Sequence, residues 1–171
     1  MQDQKDLEDV NQLSDAQRFG NQLHLVLSLA NHPNEIETTI LQLIKSGEVE
    51  MDFLERLKSE GIEILQDADY QSLFSNHIEI LSEQPIIIDA FNTIRPDKII
   101  VKDVKVKNEA EVEVEGVIRK KAIILDYKTG MPNAKYAKQV TEYVLALNEI
   151  GYSEVEGYLF YTATKKLERV I

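Results

Sequence analysis

The stretch AIILDYKTGMPNAKYAKQVTEYVLAL, Ala122 to Leu147, decides how this chain is read. It opens as a continuous apolar run, the pattern of a strand covered on both faces. It then reaches an acid and a lysine, passes a Thr-Gly turn, and becomes a helix. Tyr136, Val140, Tyr143, Val144, Leu147 and Ile150 recur at helical spacing, and Gly151 stands where a helix cap belongs. Asp126 and Lys128, two residues apart in a strand, share one face. A carboxylate can take a divalent cation, and an ammonium beside it can steer water and offset phosphate charge. The tripeptide alone is weak, because Asp3-x-Lys5 and Asp103-x-Lys105 repeat it. Only Asp126 follows a buried-type strand and precedes a strong helix.

Upstream of Ala122 the chain changes period. Residues 15–76 read as helices. Ser14 or Asp15 is placed to cap a first helix carrying Phe19, Leu23, Val26, Leu27 and Ala30. His32–Asn34 breaks it. A second helix with Ile36, Ile40, Leu43 and Ile44 ends at Gly47, and a third with Phe53, Leu54 and Leu57 ends near Gly61. A short helix or loop closes this layer. Residues 77–171 read as a sheet core. IEILSEQPIIIDAF, DKIIVKDVKV, AEVEVEGVI and KAIILDY suggest a meander of strands, and VEGYLFYT with KLERVI suggests a further pair. Residues 1–14 read as a flexible tail and 15–171 as one α+β or mixed α/β domain.

Composition narrows the chemistry. The 171 residues contain no cysteine, which excludes disulfides, thiolate zinc sites and iron–sulfur clusters. No apolar run reaches the roughly 18 residues of a membrane span, and the acidic start is not a targeting signal, so the cytoplasm is expected. No Walker A sequence or other glycine-rich phosphate loop is present, so this chain carries no such motor. The net charge of −11 counts against tight independent binding of nucleic acid, but not against a module that is handed its substrate.

RPDK, ILDYKTG, QVTEY and GYSEVEGYLFY together resemble the PD-(D/E)XK nuclease superfamily. More narrowly, they resemble the RecB-like nuclease domain at the C-terminus of UvrD/Rep-type helicases such as AddA. The family pattern is Pro-Asp, then acid-x-Lys, then Gln-x-x-x-Tyr, which falls here on Pro96–Asp97, Asp126–Lys128 and Gln139–Tyr143. GNQLH supplies the family's Gly-x-x-x-His helix as Gly20 and His24, and Glu83 resembles an acid of its first core strand. The likeness runs from about Asp15 to the C-terminus.

The resemblance implies a restriction-endonuclease-like fold and a Mg²⁺- or Mn²⁺-dependent deoxyribonuclease, an exonuclease acting on single-stranded DNA in repair or recombination. The DNA would be delivered by a helicase domain in the same or a partner chain, with this chain as the C-terminal domain of a larger protein. It implies His24, Asp97, Asp126 and the Tyr127 main-chain carbonyl as metal ligands, with Glu83 as a further one. Lys128 would help generate and steer hydroxide, and Gln139 and Tyr143 would position the strand or buttress Lys128. One departure stands: VKDVKVKNEAEVEVEGVIRKK lengthens the step between the two acids. Either a hairpin is inserted at the sheet edge, or Glu115 replaces Asp97 as first acid. A second reading of the chain is an acidic scaffold of nuclease fold with a weak or dead site, docking a helicase or other partner.

Overall fold

A computed structural model describes residues 2–87, 93–107 and 113–171, with side chains over 15–87, 93–105 and 119–171. The helices come first in the chain: α1 (Gln2–Leu29), α2 (Ile36–Ser46), α3 (Leu54–Gln66) and α4 (Ala68–Phe74). Strands β1 (Glu79–Ser82), β2 (Ile86–Ile87), β3 (Thr93–Ile94), β4 (Lys98–Lys107) and β5 (Glu113–Lys128) follow. Helix α5 (Ala134–Glu149) leads to β6 (Ser153–Tyr161) and β7 (Lys166–Arg169).

The fold is mixed α+β. Five strands form one sheet in the order β1-β4-β5-β6-β7, and β2 and β3 pair separately. Strands β1, β4 and β5 form an antiparallel meander, but the step from β1 to β4 is not the short connection expected: β2 and β3, which pair apart from this sheet, lie within it. The chain then crosses through α5 so that β6 runs parallel to β5, and β7 returns antiparallel. Among the described residues no helix is long and apolar enough to cross a membrane.

Alternation along β5 separates two cores. Ile123, Leu125 and Tyr127 face α1 to α4, where Leu23, Leu27, Ile36, Ile40, Leu57 and Ile64 are almost wholly buried. Ala122 and Ile124 face α5, where they meet Val140, Val144 and Leu147. The continuous apolar run is therefore a strand covered on both faces, as its composition predicts. Local signals act where expected. Gly47 caps α2 at φ +81°, a conformation that suits a residue without a Cβ. Asn133 accepts from the Lys135 N–H to start α5, and Asp67 accepts from the Tyr70 N–H to start α4.

Four expectations are corrected. First, α1 begins at Gln2, not at Ser14 or Asp15. No Pro or Gly interrupts residues 2–14, so a possible cap within them does not stop the helix. Second, α3 runs through Gly61 to Gln66. A Cβ at Gly61 would lie 3.0 Å from Ile36 Cδ1, so the glycine is a packing residue between α2 and α3 and not a terminator. Third, residues 113–118 of AEVEVEGVI and the whole of KAIILDY belong to one strand of 16 residues; residues 110–112 lie outside the described residues. The polar Arg119–Lys121 interval stays paired to β4, with Lys120 opposite Asp103. Fourth, Ile150 lies just beyond α5 and is 54% exposed, because the chain turns at Gly151 before completing the apolar face.

The sheet also explains the long step between the two acids. Strand β1 pairs with β4 only over Lys98–Val101, and β6 pairs with β5 only from Lys121 onward. The rest of β4 and β5 is a two-stranded ribbon at the far end of the two strands. Among the described residues the added length lies in β4 and β5 themselves; residues 108–112, which join them, lie outside the described residues.

Gly157 of β6 lets α5 lie close to the sheet. A Cβ there would stand 2.4 Å from Val140 Cγ1 and 3.1 Å from Val144 Cγ2. Gly157→Ala should destabilise the protein by about 1–3 kcal/mol through overpacking, read as a lower urea midpoint with an unchanged slope. An unchanged midpoint would mean that α5 does not pack on β6 this closely.

Candidate functional site

Three elements meet at the end of β5. Antiparallel pairing sets Lys98 opposite Leu125, so Asp97, one residue earlier, stands level with Asp126. The Asp97 carboxylate is buried and uses Oδ2 twice: it accepts from the Tyr127 N–H at 2.7 Å and lies 3.0 Å from His24 Nε2 of α1. Asp97 also accepts through its main-chain oxygen from the Glu83 N–H at 3.0 Å. That bond brings Glu83, just beyond β1, to the same end of the sheet.

Gly20 explains how α1 comes so close. A Cβ at this position would stand 3.2 Å from Thr129 Cβ. The glycine lets the helix pass against the exit of β5, and His24 follows one turn later. The Gly-x-x-x-His spacing thus has a physical reason: one residue admits the helix and the other reaches Asp97.

On the α5 side, Lys128 Nζ lies 2.5 Å from Asp126 Oδ2. The contact is an ion pair outside hydrogen-bond geometry, and this buried oxygen has no hydrogen-bond donor among the described residues. The same ammonium donates to Gln139 Oε1 at 3.0 Å and sits 4.9 Å from the centre of the Tyr136 ring. Gln139 Nε2 in turn donates to the Tyr143 hydroxyl at 2.6 Å. Gln139 and Tyr143, four apart on α5, therefore form a chain of contacts that fixes Lys128.

The electrostatics follow from burial. Asp126 is pushed up to about 6 by desolvation and by the Asp97 charge, against the pull of Lys128 and His24. Burial alone would lower the His24 imidazole, but its hydrogen bond to Asp97 and the charges of Asp97, Asp126 and Glu83 raise it overall. The Tyr143 phenol is pushed up to about 12 by burial and by the Asp126 charge. It stays protonated and able to donate.

The residues present fit a hard divalent cation. His24, Glu83 and Asp97 offer ligand atoms that all lie within 4.8 Å of one another. Two carboxylates and one imidazole suit Mg²⁺ or Mn²⁺ better than a thiophilic metal. Asp126 stands outside that trio; its buried Oδ2 is paired with the Lys128 ammonium and accepts no hydrogen bond among the described residues. Tyr127, whose carbonyl is expected as a ligand, holds Asp97 through its N–H. Its side chain crosses to the other face, where its hydroxyl meets that of Tyr70 at 2.5 Å. Glu115 lies eleven residues before Asp126 in the same strand, roughly 35 Å away at a strand's rise. Its side chain lies outside the described residues. That distance leaves Asp97 as the acid level with Asp126.

Lys98 was not singled out from the sequence. It is wholly buried, and its ammonium donates to the Ala30 carbonyl at 3.0 Å and to Asn31 Oδ1 at 2.5 Å, with Ser82 Oγ at 3.5 Å. It ties the end of α1 to β4, the strand next to Asp97. Burial pulls its pKa down to about 7, against the charges of Glu35, Asp97 and Glu83. The available signal was parity: Lys98 alternates with Ile100 and so faces the helical layer.

No model of a known protein family matches the chain, and no curated protein matches it significantly.

A buried carboxylate with a raised pKa is a stability statement. Unfolded, Asp126 titrates near 3.8; folded, it titrates near 6. The native state therefore holds the extra proton between these values, and the stability this provides is full below about pH 4 and lost as pH rises through 6. At pH 7.5 the ionised group costs up to about 3 kcal/mol. Asp126→Asn should be more stable than wild type at pH 7.5 and indistinguishable from it near pH 4, by urea denaturation. Millimolar Mg²⁺ should raise the wild-type melting temperature and leave that of the variant unchanged. Equal stability at both pH values would remove Asp126 as a strained group.

Proposed function

We propose that this chain is a metal-dependent DNA nuclease module of the PD-(D/E)XK, RecB-like kind, with a restriction-endonuclease-like core. The observation that carries the reading is convergence. Asp97, Asp126 and Lys128, remote in sequence, meet at one end of the sheet with His24 and Glu83 beside them. The missing match to a family model leaves this geometry and the spaced motifs as its whole support.

His24, Glu83, Asp97 and Asp126 would hold the cation, with the Tyr127 carbonyl at the same strand end. A bound Mg²⁺ or Mn²⁺ supplies charge against the phosphate and eases deprotonation of water. The protein's own groups do the rest. Asp97 is held by the Tyr127 N–H, which fixes the direction of its carboxylate. Lys128, gripped by Asp126 and Gln139, presents its N–H groups not used on Gln139 to the phosphate or to the attacking water. Tyr143 stays neutral and supports Gln139. Water oxygen forms the new bond to phosphorus, the bond to the sugar oxygen breaks, and that oxygen leaves with a proton from solvent.

The preferred substrate in this reading is single-stranded DNA delivered by a UvrD/Rep-type helicase, in the same chain or a partner, with exonucleolytic cutting. The net charge of −11 supports external delivery, since backbone affinity depends on cations that this chain lacks in excess. The same charge is what favours the scaffold reading, and one experiment decides between them. Labelled single- and double-stranded DNA is incubated with Mg²⁺ or Mn²⁺ and wild type, Asp126→Ala or Lys128→Ala. Metal-dependent cleavage that falls at least about 100-fold in both variants is expected, in the range seen when a transition-state contact is lost. Cleavage that survives both substitutions rejects the site. No cleavage and no calorimetric metal binding selects the scaffold.

A further inference from the structure

Beside the proposed site lies a groove of about 560 Å³, bounded by α1, α3 and the outgoing ends of β5 and β6. This is within the roughly 300–1,000 Å³ of small-ligand sites. Phe19, Gly20, Arg56, Thr129, Gly130 and Lys165 are among its walls. It is continuous with the site along two elements. Thr129 directly follows Lys128, and Gly20 precedes His24 by one turn of α1, about 6 Å. A chain lying across the metal ligands therefore enters this groove within the reach of one nucleotide.

Arg56 is built in an unusual way for a surface arginine. Its guanidinium carbon lies 3.6 Å from the centre of the Phe19 ring, while Nε donates to Glu60 Oε1 at 2.9 Å. Phe19 is itself fixed, 4% exposed and edge-on to Phe53 with ring centres 5.6 Å apart. One face of the guanidinium is thus seated on an aromatic ring and its edge is held by a carboxylate, yet the side chain remains 58% exposed. This leaves a flat cation already oriented, with its other face available. Guanidinium planes stack on unpaired bases, and such stacking is sequence-tolerant.

The charges of the groove argue against a phosphate seat. Arg56 is neutralised by Glu60, and Lys165 Nζ lies 2.5 Å from Glu63 Oε2. A duplex keeps its bases inside the stack, so only a single strand can offer one here. We infer that this groove seats one nucleobase of a single strand next to the cleaved phosphate, stacked on the outer face of the Arg56 guanidinium. The inference rests on the nuclease reading and names the strandedness and the neighbouring-base contact of that same site.

The test uses the full chain with Asp126→Asn as a non-cutting background and a fluorescent single-stranded DNA, read by anisotropy. Arg56→Ala and Arg56→Lys should each weaken binding about 10-fold, because lysine keeps the charge but loses the plane. A DNA lacking the base next to the cut position should bind wild-type groove and Arg56→Ala groove equally weakly, and the loss should persist at high salt. Circular dichroism shows that the variants are folded, and Mg²⁺ titration of the Arg56 variants with Asp126 restored shows that they keep the metal site. Full rescue by Arg56→Lys, or an added loss from the abasic DNA in Arg56→Ala, overturns base stacking. Arg56→Ala protein with Asp126 intact that cuts DNA as well as wild type overturns the seat alone, whereas wild-type protein that neither cuts nor binds DNA overturns the nuclease reading with it.

Discussion

The Asp97 carboxylate is the joint on which the arrangement turns. Its Oδ2 accepts from the Tyr127 N–H at the end of the β4–β5 ladder and meets His24 Nε2 from α1. One oxygen thus registers two strands and a helix that are far apart in sequence. The ladder alone would leave the Tyr127 N–H without its partner in that direction, and a buried unpaired donor costs on the order of 1–3 kcal/mol. Folding therefore selects the register in which Asp97 stands level with Asp126. The geometry that gathers the acids is the geometry that satisfies the backbone.

That joint is held against a cost. Asp126 and Lys98 are ionisable groups taken almost wholly out of water, and burial shifts each towards its neutral form. Lys128 offsets part of the first penalty, and the Ala30 carbonyl with Asn31 satisfies the second. The two cases differ in kind. All contacts of Lys98 are made within the protein and join α1 to β4, which is a structural use. Asp126 is held differently: its Oδ2 lies against the Lys128 ammonium without accepting a hydrogen bond among the described residues, and burial with the Asp97 charge pushes it up to about 6.

Much of this was legible in the sequence, for reasons that can be located. The apolar run Ala122–Leu125, the helical face of α5 and the glycines at positions 47 and 151 are local signals, and local physics decided them. The convergence of His24, Asp97, Asp126, Lys128, Gln139 and Tyr143 was legible only because spaced motifs stand in for tertiary contacts. What was missed depends on neighbours distant in sequence. Gly61 reads as a stop but serves contact with Ile36. The Arg119–Lys121 interval reads as a break but continues a ladder whose partner is β4. Lys98 draws no notice in the sequence, because its acceptors come from the end of α1. Gly20 has a reason only once Thr129 is placed against it.

The acidity of the chain then takes on a specific meaning. Lys128 is held by Asp126, Arg56 by Glu60 and Lys165 by Glu63. Around the proposed site, cations are positioned by carboxylates, and so each offers direction more than net charge. A surface of this kind gains little from the counterion release that drives most nucleic-acid binding. It can still discriminate, because a fixed ammonium and a fixed guanidinium plane favour a group presented at one place. Weak capture with well-defined geometry is the combination expected of a proposed cutting module whose substrate arrives by another agent. A module binding tightly on its own would instead need its lysines and arginines free of acidic neighbours.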